Sequence, residues 1–137
     1  MKQVSYELFK TASIEDILTV IEKELEQRNE SPIWKLKVIP FSKAILSVLI
    51  PLRDAKKLFD PEGKEIKELT PELFFKWNDF VSLKMLYFRL KDSDTDVEVL
   101  GEYLAKSNVH LENEYLDFPI STYNLHQGVS NVIKSLL

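Results

Sequence analysis

The chain has no cysteine, which removes disulfides, thiolate metal sites and a cysteine nucleophile at once. Glycine is almost as scarce. Three glycines in 137 residues (Gly63, Gly101, Gly128) leave no phosphate-cradling loop of the form G-x-G-x-x-G or G-x-x-x-x-G-K. The motifs H-E-x-x-H and G-x-S-x-G are missing too. Long apolar runs are also lacking. The charge-free part of the most hydrophobic stretch is only Ala44 to Leu52, against the ~18 residues a membrane span needs. The opening M-K-Q-V-S-Y-E-L-F-K has no apolar h-region, so a signal peptide is not expected. These absences together lead to the expectation of a cytoplasmic protein with no cofactor and no membrane contact.

What is present is an ordinary globular composition, 45% hydrophobic and 29% charged, in a length that suits one domain over 1–137. The densest apolar stretch is Ile33 to Leu52, I-W-K-L-K-V-I-P-F-S-K-A-I-L-S-V-L-I-P-L. Before Pro40 it alternates apolar residues with lysine; after Lys43 it is nearly unbroken. That pattern predicts a half-wet strand followed by a buried one, paired as a hairpin over 33–52, with Pro40 and Pro51 at strand ends. Further strands are expected where Val4, Tyr6 and Leu8 alternate, over Lys84 to Leu90, and over Val109 to Phe118. A small hairpin is expected around Asp60-Pro61-Glu62-Gly63, with Leu58 and Ile66 inward.

Helical signals are equally clear. Ile14, Ile17, Leu18, Ile21 and Leu25 form one apolar stripe behind Ser13, ending near Arg28. Thr70-Pro71-Glu72 starts a second helix, with Leu73, Phe74, Trp77, Phe80 and Val81 on one face. A third carries Val97, Leu100, Tyr103 and Leu104, and Gly101 within it suggests close packing. A last one follows Pro119, with Leu125, Val129, Val132, Ile133 and Leu136 as its stripe. The expected class is therefore α+β: an antiparallel or mixed sheet around the 33–52 hairpin, with three to four amphipathic helices packed on it.

Charge is unevenly placed within a net of −4. Between Lys35 and Lys57 six basic residues face one acid, Asp54. Between Asp92 and Phe118 eight acids face Lys106 alone. The plain reading is two solvated faces that attract each other or keep the chain in solution. The sharper one is an acidic surface for a basic protein partner, carried by Asp94, Asp96, Glu98, Glu112 and Glu114, with Phe75 as an aromatic contact on the wet side of its helix. Nucleic acid is a poor candidate, since the basic cluster is small and the whole chain is acidic.

Two metal readings are weaker. A strand at His110-Leu111-Glu112-Asn113-Glu114 puts His110, Glu112 and Glu114 on one face, and His126 brought near would complete a set able to hold a divalent ion and activate water. Those side chains are more simply the wet side of a half-buried strand. Asp92-Ser93-Asp94-Thr95-Asp96 opens like a calcium loop, but Val97 replaces the glycine and Tyr103 the closing glutamate. Helix capping explains those acids better. The favoured expectation is a non-enzymatic binding protein, such as a small inhibitor or immunity-type protein. A metal-dependent hydrolase is one alternative. The other is a structural or assembly subunit of a phage or secretion apparatus, using Phe75 and the strand around Lys35 and Lys37.

Overall fold

In the computed structural model, which describes residues 2–27, 32–78 and 80–106, the densest apolar stretch is one long helix. The described residues hold six helices: α1 Lys2–Thr11, α2 Ile14–Gln27, α3 Pro32–Asp54, α4 Pro71–Lys76, α5 Phe80–Leu90 and α6 Glu98–Lys106. They contain no sheet, and the one β feature is an isolated antiparallel bridge between Phe59 and Glu65. The α+β expectation is thus overturned in favour of an α-helical arrangement.

The physical reason lies in what surrounds α3. Val38, Phe41, Ala44, Ile45, Leu46, Val48, Leu49, Ile50 and Leu52 are all buried along it. A helix apolar on nearly every side belongs in a core, and a short run of such residues cannot be told from a buried strand by periodicity. The exposed positions carry the deciding period. Leu36, Pro40, Lys43, Pro51 and Asp54 are exposed and Ser47 half-buried, at steps of three and four that trace one narrow stripe, with Lys37 exposed beside its start. Leu36, which the alternating pattern turned inward, is 72% exposed.

Pro40 and Pro51 lie inside the helix on this stripe, not at strand ends. Each removes an amide donor, freeing the carbonyl four residues earlier. On the wet side water can take the place of that donor, so the helix continues through both prolines.

Helices α2, α4 and α6 pack on α3. From α2 come Ile17, Ile21 and Leu25, fully buried, on the stripe that the sequence predicts. Its start is fixed by Ser13, whose Oγ accepts from the Asp16 amide at 3.2 Å. The expected strand at Val4 to Leu8 is instead part of α1. Phe9 anchors it: its ring stacks on Phe74 with centroids 5.6 Å apart, and its carbonyl accepts from Arg53 Nη1 at 3.0 Å. Phe41 meets both Phe74 and Tyr103 edge-on, tying α3 to α4 and α6.

The helix starting at Thr70-Pro71 is capped as expected, with Thr70 Oγ1 accepting from the Leu73 amide at 3.1 Å. It is shorter than its stripe suggested. It stops at Lys76, and Trp77 caps it, its amide donating to the Leu73 and Phe74 carbonyls. The Trp77 indole donates to the Phe59 carbonyl at 3.1 Å, holding α4 to the 58–66 turn.

The strand expected over Lys84 to Leu90 is the body of α5. Leu83, Leu86 and Leu90 are buried, while Val81, Met85 and Arg89 are exposed, and both sets run at helical spacing. Between α3 and α4 the chain makes the small hairpin expected from Asp60 and Gly63. The buried Asp60 carboxylate accepts from the amides of Glu62 and Lys64 at 3.0 and 2.9 Å. Gly63 takes φ +87°, a left-handed conformation that disfavours a side chain.

Candidate functional site

Two surfaces on either side of the C-terminal end of α5 are the candidates. The first is the acidic turn joining α5 to α6. Asp92, Asp94, Asp96 and Glu98 are all exposed there. The turn is ordered by its own short side chains. Ser93 Oγ donates to the Leu90 carbonyl at 2.7 Å and accepts from the Thr95 amide at 3.1 Å. Asp96 Oδ1 accepts from the Glu98 amide at 2.9 Å, which places its charge at the positive end of α6. This capping role is the one favoured for these acids over a calcium loop. Asp94 also borders a pocket of about 340 Å³ with Leu52, Lys57, Phe59 and Leu90, so the acidic turn and the end of the basic segment share a rim.

The structure therefore groups Asp94, Asp96 and Glu98 from the predicted partner face. Phe75 stands apart from them on α4. It is half-buried, with its ring edge-on to Phe74 at 5.6 Å and packed on the core, where the sequence placed it on the wet side. Glu112 and Glu114, and the metal set His110, Glu112, Glu114 and His126, lie outside the described residues. Among the described residues no group of three or more His, Asp or Glu side chains is placed to hold a metal ion.

The second surface was missed by sequence reasoning. A groove of about 470 Å³ runs along α5, walled by Pro61, Trp77, Met85 and Phe88, with Lys84 and Arg89 supplying its charge. Met85 is 52% exposed and Val81 37%, one turn apart on the open side of the helix. Lys84 is almost wholly buried, its Nζ 5.9 Å from the centre of the Phe88 ring. Lys91 Nζ lies 4.6 Å from the same ring, and the Arg89 guanidinium sits 4.1 Å over Phe59. Arg89 and Lys91, at the end of α5, thus each lie against an aromatic face. A signal was present: Val81, Met85 and Arg89 at steps of four would have drawn an open helical face once the stretch was read as a helix.

No protein-family model matches the chain, and neither curated proteins nor solved structures give a match. Among the described residues, no helix is long and apolar enough to cross a membrane.

Proposed function

We propose that this chain is a non-enzymatic protein-binding module of the cytoplasm, of the small inhibitor or immunity type, that meets a basic partner through the acidic turn between α5 and α6. The observation supporting this reading is the ordered display of Asp92, Asp94, Asp96 and Glu98, four exposed carboxylates within seven residues on a turn tied by its own hydrogen bonds. A turn already held in place has less freedom to lose on binding. Like charges gathered at one edge of the fold raise the rate of encounter with an oppositely charged surface, an effect that salt weakens.

The test is a paired capture experiment. Wild type and the double variant D92K/D94K are immobilised, and bound proteins are identified at low and high salt. Asp96 is left in place because it caps α6. The expected outcome is a basic protein held by the wild type at low salt, released by high salt, and bound at least about tenfold more weakly by the variant. Equal retention of the same protein by both would dispose of the acidic-turn reading.

A further inference from the structure

The pocket between the end of α3 and the acidic turn is rimmed by charges of opposite sign. Its volume of about 340 Å³ falls in the range of roughly 300–1,000 Å³ common to small-molecule sites. Leu52, Phe59 and Leu90 supply its apolar surface, while Lys57 and Asp94 stand among its walls with Ser93 and Thr95. Lys57 and Asp94 are both exposed, and they do not pair with each other or with any other described residue.

The surrounding charges keep the two sides distinct. On the lysine side, Arg53 to Lys57 carries three basic residues and one acid, Asp54, which is already held by Arg53 at 3.0 Å. On the other side, Lys91 to Glu98 carries four acids against Lys91 alone. Glu65, bridged through the backbone to Phe59, is an exposed acid near the apolar surface, and it forms no ion pair with Lys57.

Both sides are also built in place. Lys56 takes φ +59° and closes α3: its amide donates to the Arg53 carbonyl at 3.1 Å, and the Lys57 amide to the Leu52 carbonyl at 2.8 Å. Opposite, Ser93 ties the turn that carries Asp94. The Phe59 ring is fixed by Trp77 edge-on at 5.6 Å and by the Arg89 guanidinium 4.1 Å from its centre.

We infer that this pocket binds an elongated zwitterion, a small molecule with an ammonium group and a carboxylate at opposite ends of an apolar body. The body lies on Leu52, Phe59 and Leu90, the carboxylate meets Lys57, and the ammonium meets Asp94. A ligand with one charge satisfies one side and is repelled by the other, so the pair of charges selects the zwitterion. The site requires no protein partner, and its test is separate from the capture experiment.

Calorimetric titration of the full chain with 6-aminohexanoate, hexanoate and 1-aminohexane tests it. The three probes share a body and differ in their charged ends. The zwitterion is expected to bind saturably in the sub-millimolar range, with each singly charged probe about tenfold weaker or more. K57Q should weaken 6-aminohexanoate by about tenfold without weakening 1-aminohexane. D94N should weaken 6-aminohexanoate by a similar factor without weakening hexanoate. K43Q, on the wet stripe of α3, should leave all three unaffected. Both rim substitutions alter exposed side chains and spare the core. Absence of saturable 6-aminohexanoate binding overturns the inference. So does equal binding of the three probes, or either rim variant binding 6-aminohexanoate like the wild type.

Discussion

Ser42 is fully buried on α3, and its hydroxyl has no hydrogen-bond partner among the described residues. A hydroxyl taken from water without compensation costs roughly 1–3 kcal/mol, and alanine is also the better helix former. Ser42→Ala should therefore stabilise the protein by about 1 kcal/mol, read as a higher guanidinium midpoint with an unchanged slope. A lower midpoint would mean that the hydroxyl is satisfied in solution. The same scale explains what could be read ahead of the structure. The roles of Ser13, Asp60, Gly63 and Thr70 were legible because each acts within four residues of itself, through a cap or a turn. The charged residues at 92–98 were legible as surface because an unpaired charge seldom leaves water. Ser42 carried no such local mark, since its burial depends on helices far away in the chain.

Between elements, the informative case is the contact of α6 with α5. A Cβ on Gly101 would stand 2.9 Å from Cε2 of Tyr87. The Tyr87 ring is half-buried, and its neighbour Phe88 sits edge-on at 5.6 Å, so it has little room to give way. Gly101→Ala gains up to about 1 kcal/mol in helix propensity but overpacks a close contact, which costs about 1–3 kcal/mol. A net loss of about 1 kcal/mol is expected by denaturant titration. In a Tyr87→Leu background, where the ring is gone, the same substitution should become stabilising. If G101A stabilises the parent chain equally, the helices are not held at this distance by the glycine. The close packing itself was foreseeable from a lone glycine in an otherwise good helix. The identity of α3 and α5 was not, because β-branched and aromatic residues fill a helix core as readily as a sheet. Only their exposed residues, stepping by three and four, separate the two. The groove was hidden for a further reason: Pro61, Trp77 and α5 come together only once the chain has folded.

At the scale of the whole molecule, α3 is the element on which the others depend. Helices α2, α4 and α6 each bury their apolar side against it, and Arg53 near its end holds the last turns of α1. Exposed ion pairs add little to this: Lys10 and Glu68 meet at 3.6 Å with both side chains about half exposed, an arrangement worth about 0–1 kcal/mol. Stability should thus rest on one shared core and be lost as a unit. Leu49 is a fully buried side chain in the C-terminal half of α3. Leu49→Ala should cost about 2–5 kcal/mol, a large share of the roughly 5–15 kcal/mol typical of a domain. Amide hydrogen exchange can then ask whether the loss is shared. Amides of residues 41–50 should exchange only through global unfolding, and L49A should lower their protection by the same free energy as the global loss. The buried-side amides of α2 and α6 should fall by an equal amount, while those of the 60–64 turn, which open locally, should change little. If α2 keeps its full protection in L49A, it draws its stability from elsewhere, and α3 does not organise the fold in the way its burial implies.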